Sequence, residues 1–201
     1  MERILKAGTA LFARHGFNGT TTRMIAEKAR MNEAIIFRHF PSKKELYAEI
    51  LKSKIQENVI LRDVESPGDP PDLETLLRTL AQRVLTSIRS DPDFLRLLYY
   101  SGLERHKLAA SFYETYTKNL NSFLSAKIKD AMSRNELRKM DAMLASRTFF
   151  SMVAHMGMMG ELFGIKAEPW QDEEKIEAYV SVFLNGLRKL KSAPAKKKRA
   201  K

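Results

Sequence analysis

Residues 1–45 are cut into short pieces, and that punctuation limits the fold more than any other feature of the chain. Gly16 stops one apolar-periodic run. Asn18-Gly19-Thr20-Thr21-Thr22 is a turn that ends in helix-capping side chains. Arg30-Met31-Asn32 makes a tight break, and Pro41 stops a third run. Helices confined between such stops have about two turns each, too few to be stable alone in water. They have to be held by a longer neighbour. The pattern predicts a helix over 2–15 with Ile4, Leu5, Gly8, Leu11 and Phe12 on one apolar face. A short helix over 22–29 follows, burying Ile25, Ala26 and Ala29, and then another over 33–40, capped by Asn32, that turns Ile36 and Phe40 inward. Ser42-Lys43-Lys44-Glu45 reads as a capping box opening a long helix to about residue 61.

The rest of the chain keeps the helical period, with no alternating β-branched runs. After a Pro/Gly-rich loop at 65–71 come helices over about 72–89, 92–102, 107–134, 142–163 and 172–190, the fourth of these capped by Asp141. The expected fold class is all-α, with about nine helices. The most apolar stretch, 148–160, contains His155 and is too short to span a bilayer, so it reads as a buried helix and no membrane partner is expected.

Several chemistries are missing. The 201 residues include no cysteine, which excludes disulfides, thiolate metal sites and cysteine nucleophiles. The 4 histidines are scattered without metal-ligand spacing, so neither metal nor other cofactor is expected. There is no nucleophile–base pair, no paired carboxylates and no phosphate-cradling glycine loop, so an enzyme is not expected.

Charge is concentrated at the two ends. Residues 1–52 carry 10 basic and 5 acidic side chains, and residues 188–201 carry 8 basic and none acidic, whereas 53–187 has 17 basic against 19 acidic. A basic N-terminal segment is the footprint of a polyanion partner, though a merely solvated surface has the same composition. The tail 192–201 is low-complexity and is expected to be disordered. Its lysines could add non-specific phosphate attraction or could simply be solvated.

Two short helices joined by three residues and braced by a longer first helix form the helix-turn-helix arrangement, whose second helix inserts into the DNA major groove. The residues that build it here resemble the N-terminal domain of the TetR/AcrR family of bacterial regulators. The likeness lies in the LFARHGF run at 11–17, in IAEKA at 25–29, in FRHFPSKKEL at 37–46, and in their mutual spacing. The stretch at 135–152 and the closing helix with Gly186 resemble the family's two dimer-forming helices. The resemblance implies a helix-turn-helix domain at 1–48, a helical effector-binding and dimerisation domain at 49–191, and a basic tail at 192–201. It also implies a homodimer through the last two helices on a pseudo-palindromic double-stranded operator, a small apolar or aromatic effector, and a bacterial cytoplasm.

Site residues follow position by position. Thr22 and Arg23 match positions that touch phosphate or a guanine edge, and arginine is the best bidentate reader of guanine. His39 and Lys43 match phosphate-clamping positions. The reading helix itself supplies Glu33, Ala34, Ile35, Phe37 and Arg38. It departs from the family's common SKGTLY pattern with NEAIIF at 32–37. Phe37 lacks the usual hydroxyl, Glu33 brings a negative charge to the DNA side, and Ile35 cannot donate a hydrogen bond. Glu33 is expected to accept from a cytosine amino group and Ile35 to meet a thymine methyl.

For the effector, the candidate contacts are Tyr99, Phe112, Tyr116, Met152, His155, Met156 and Met159. Aromatics with hydroxyls can line and orient a ligand, and methionines adapt to apolar shapes, but both also serve as plain core filling. Gly157, Gly160 and Gly164 share one helical face and suggest close helix approach across a dimer. On the residues alone, a ligand-responsive repressor, a helical small-molecule binder or enzyme with an incidental basic domain, and an architectural DNA binder all remain open.

Overall fold

The computed structural model describes residues 1–57, 72–106, 110, 112–164 and 170–188. The loop expected at 65–71, the continuation of the fourth helix to 61 and the basic tail lie outside them. Among the described residues the chain is all-α, with nine α-helices: α1 (Glu2–His15), α2 (Thr22–Ala29), α3 (Glu33–His39), α4 (Lys43–Glu57), α5 (Leu73–Ser90), α6 (Pro92–Leu103), α7 (Lys118–Ser133), α8 (Ala142–Phe163) and α9 (Asp172–Leu187). A π-helical turn, Tyr113–Thr117, leads into α7.

The caps explain the boundaries. Thr21 accepts from the Met24 N–H at 3.2 Å, Asn32 from Ala34 at 2.9 Å and Ser42 from Glu45 at 3.2 Å. Arg30, with φ 54°, closes α2 in the left-handed region. Asp91 and Asp141 start α6 and α8 in the same way, accepting from Phe94 at 3.0 Å and Leu144 at 2.8 Å. Several ends differ from the sequence expectation, and the helix expected over 107–134 contains the π-helical turn at 113–117 before α7. Phe40 is the C-cap of α3 rather than its last residue. α9 stops at Leu187 because the Arg138 N–H takes the Leu187 carbonyl at 2.8 Å, and Leu137 and Arg188 then form an isolated antiparallel bridge.

The apolar residues fall into two clusters. In the head, Ile4, Phe12, Ile25, Ile36, Leu46 and Tyr47 pack together, joined by Phe94 and Leu97 from α6. In the body, α5, α7, α8 and α9 bury Leu77, Leu80, Leu124, Ile128, Phe149 and Val180. The division expected at 48 falls inside α4, whose Ile50 and Leu51 belong to the head cluster. α6 belongs to the head cluster and also touches α5 and α8 of the body.

Gly157 is a correction. A Cβ at this position would lie 2.9 Å from Ile88 Cδ1 and 3.1 Å from Leu85 Cδ2. The glycine lets α8 approach α5 of the same chain, so its bare face is not left for a second subunit. Gly164, with φ 66°, ends α8 in the left-handed conformation that glycine takes without strain.

Candidate functional site

α3 is the short rod the sequence predicts, held from behind by Ile36 and Phe40 and open in front. Ala34, Phe37, Arg38 and His39 are exposed, and Phe37 remains 47% exposed, which is unusual for a phenylalanine on a seven-residue helix. Ile35 is half-buried. Arg23, at the start of α2, is exposed and paired only at the surface, with Glu27 at 3.2 Å. The exposed side chains here are cationic or apolar.

Two of the expected contact residues are also used inside the protein. The Thr22 hydroxyl donates to Glu33 Oε1 at 2.5 Å, which fastens the start of α2 to the start of α3. Glu33 is thus half-buried and oriented, with its charge next to the cap of the reading helix. The Lys43 ammonium donates to the carbonyls of Phe17 at 2.8 Å and Thr20 at 2.9 Å and lies 4.2 Å from the Phe17 ring centroid. That is a brace for the α1–α2 turn, with two of its three donors spent on carbonyls. The neighbouring Lys44 is exposed.

α6 is fastened to the head at both of its ends. Glu104, just past its C-terminus, accepts from the backbone N–H groups of Phe17 at 3.0 Å and Asn18 at 3.2 Å. Tyr47 is only 1% exposed, and Phe12 and Phe17 stand against it with ring centroids at 4.8 and 5.2 Å. Burial, and then the Glu104 carboxylate, push the Tyr47 phenol up to about 12, against a smaller opposing hydrogen bond with Ser101. At the other end of α6, Lys54 of α4 reaches Asp91 at 2.7 Å.

The opposite side of α6 lines a cavity of about 200 Å³, closed by α5, the segment leading into α7, α7 itself and α8. Its walls are mainly Val84, Ile88, Phe94, Leu98, Phe150 and Ala154, with Tyr99 and Met158 joined by a hydroxyl–sulfur hydrogen bond. Burial raises the Tyr99 phenol above its ordinary value. Of the expected effector contacts, Tyr99 and Phe112 line this cavity. Met152, His155, Met156 and Met159 do not, and the side chain of Tyr116 lies outside the described residues. The lining face of α8 runs through Phe150, Ala154 and Met158, whereas His155 is exposed on another side. Sequence reasoning missed Asp91 as a lining residue. It was visible only as a helix start, and nothing local ties it to Lys54.

The outer faces of α8 and α9 carry unpaired apolar side chains, with Leu144 60% and Val182 66% exposed. Ala178, Ser181 and Asn185 surround Val182 on α9. Among the described residues, no cluster of three or more His, Asp or Glu could hold a metal, and no helix is long and apolar enough to cross a membrane.

The comparisons with known proteins agree with this geometry. Residues 4–50 match the family model for bacterial regulatory proteins of the tetR family, and residues 75–186 match that for the C-terminal domain of AefR-like transcriptional repressors. The chain is 32% identical over 152 residues to the HTH-type transcriptional repressor SCO4008 of Streptomyces coelicolor, covering 76% of this chain and 73% of that one. Among solved structures, a Clostridium perfringens putative fatty acid metabolism regulator superposes with a TM-score of 0.72 at 18% identity, covering 92% of this chain and 97% of that one. The flavonoid-responsive regulator FrrA superposes with a TM-score of 0.65 at 26% identity, covering 93% and 96%. The fold, the exposed α3 and these likenesses lead to one assignment: the chain belongs to the TetR family of DNA-binding transcriptional regulators and is not an enzyme.

Proposed function

We propose that the protein is an effector-responsive repressor that leaves a pseudo-palindromic operator when a small apolar or aromatic molecule fills the cavity beside α6. The observation that carries this reading is the double use of α6. Phe94 belongs to the head cluster and also lines the cavity, and Glu104 holds the turn before α2. A ligand that shifts α6 therefore acts on the head through side chains already in contact, as a two-state coupling requires.

In this reading Arg23, Phe37, Arg38 and His39 face the duplex, with Thr22, Ala34 and Ile35 beside them. Lys44 takes the phosphate role expected of Lys43, since Lys43 is bound to Phe17 and Thr20. Glu33 keeps one carboxylate oxygen for a cytosine amino group while Thr22 holds the other. Two copies pair through α8 and α9, covering Leu144 and Val182, and set two reading helices about one helical turn, roughly 35 Å, apart. Such a dimer works in the bacterial cytoplasm, where its operator is.

Selection of bound sequences from a random duplex library tests the reading. An enriched palindrome, shifted by a dimer and weakened by a cavity ligand, is expected. Equal, weak retention of every duplex by a monomer would overturn it.

A further inference from the structure

We propose that the effector carries a cationic nitrogen on a small apolar or aromatic body, and that this cation takes the Asp91 carboxylate from Lys54. The proposal rests on the cavity being the effector site and adds the chemistry of the ligand.

Asp91 stands at the meeting point of three structures. One carboxylate oxygen accepts from the Phe94 N–H at 3.0 Å and caps α6. The other accepts from the Lys54 ammonium of α4 at 2.7 Å. The residue also lines the cavity, and among the described lining residues it alone carries a formal charge. The pair is neither at the surface nor deeply buried, with side chains 25% and 28% exposed. A partner of this kind is held firmly enough to transmit a force and loosely enough to be exchanged.

The charge decides among ligand classes. An anion in this cavity meets a carboxylate and, among the described lining residues, no cation to compensate it, so burial and like charge both oppose it. A neutral molecule fills the apolar space and leaves Lys54 where it is. A cation gains a carboxylate in a site whose other walls are mostly apolar, where the attraction is stronger than in water. The rings of Phe94 and Phe112, 5.6 Å apart, offer aromatic surface next to it. Two cations cannot both be neutralised by one carboxylate whose second oxygen already serves the helix cap. Ligand and Lys54 therefore compete, and the ligand that wins removes the Lys54 tie between α4 and α6. Linkage requires the converse as well: removing Lys54 must tighten the ligand. The volume, about 200 Å³, favours a single ring or a short chain over a drug-sized molecule, whose pockets run from roughly 300 to 1,000 Å³.

The test uses the full-length protein at pH 7 and three probes that share one ring and chain length: 3-phenylpropylamine, 3-phenylpropanol and 3-phenylpropionate. Calorimetry gives each affinity, and a gel shift with the selected operator gives DNA release. The amine is expected to bind at least about tenfold tighter than the alcohol, with the carboxylate weakest. Asp91→Asn keeps a capping side chain on α6 and is expected to cost the amine about tenfold while leaving the alcohol within about twofold. Lys54→Met is expected to tighten the amine several-fold and leave the alcohol unmoved. An alcohol or carboxylate that binds as well as the amine and still releases operator overturns the cation while leaving the effector cavity in place. An amine affinity indifferent to both substitutions overturns the competition at Asp91. Binding of no probe, with operator affinity intact, also counts against the proposal, whereas failure to select any operator strikes the regulator reading itself.

Discussion

In the head, Phe12, Phe17 and Tyr47 stand ring against ring with centroids 4.8 to 6.0 Å apart, and short helices close around them. In the body, longer helices leave an apolar space of about 200 Å³ between α5, α6, α7 and α8. The two regions meet at α6, which is packed on one side and lines open space on the other. Under the proposed function the contrast follows from their tasks. A helix of seven residues presents a fixed surface to DNA only if its back is tightly held, because it has no stability of its own. A sensor has to forgo some packing to leave room for a ligand, since an empty apolar cavity forfeits contacts that a filled core would make.

The comparison breaks first if the head is not the tightly packed half. Phe12 is fully buried and touches both other rings, so Phe12→Ala is expected to destabilise the protein by about 3–5 kcal/mol. Urea unfolding followed by circular dichroism measures this. A loss below about 1 kcal/mol would mean that the head tolerates a void as the body does.

A second test uses pH. The folded Tyr47 phenol is raised to about 12 from an ordinary 10.0. The proton is held more tightly in the folded state, so this contribution is complete below pH 10 and fades as pH climbs toward 12. The full span corresponds to roughly 2–3 kcal/mol. Urea midpoints at pH 8 and pH 11 are expected to diverge more for the natural protein than for Tyr47→Phe, which lacks this phenol. Equal pH dependence in both would remove Tyr47 as the cause.

The third test concerns the exposed side of the head. Arg38 makes no packing contribution to the head cluster and faces outward on α3. Arg38→Ala is expected to weaken operator binding by about 1–3 kcal/mol and to change stability by no more than about 0.5 kcal/mol. Competition gel shifts and parallel melts separate the two quantities. A stability loss equal to the affinity loss would assign Arg38 to packing.

The sequence was unequally readable across these regions. The head is governed by local rules: Asn32 and Ser42 cap where their side chains predict, and Ile25, Ile36 and Phe12 point where the helical period sends them. The cavity obeys no local rule. Successive helix positions turn by about 100°, so the step from Met159 to Met158 decides which methionine lines the space. Periodicity supplies the faces of α8 but not which neighbour each face meets. Lys43 shows a different limit, because a lysine at a helix start suits a phosphate or the carbonyls of Phe17 and Thr20 equally well. The Lys54–Asp91 pair links positions that no spacing pattern relates, and only the packing of α4 on α6 brings it about.

The smallest expected effect tests the body directly. Ala154 lies on the cavity face of α8, half-buried, in line with Phe150 and Met158. Enlarging a side chain in a filled core usually costs about 1–3 kcal/mol, because neighbours are forced off their rotamers. Ala154→Leu projects into open space instead, so its strain is small and its added methylenes replace contacts the cavity lacks. The stability change is expected to stay within about 1 kcal/mol of zero, in either direction. Ligand binding is expected to be lost and operator binding kept, which turns the protein into a repressor that no effector releases. Thermal melts, calorimetry with the phenylpropyl probes and gel shifts read the three properties separately. A large destabilisation would show that the space closes in solution, and the contrast between a filled head and an open body would then fail where it is most exposed to test.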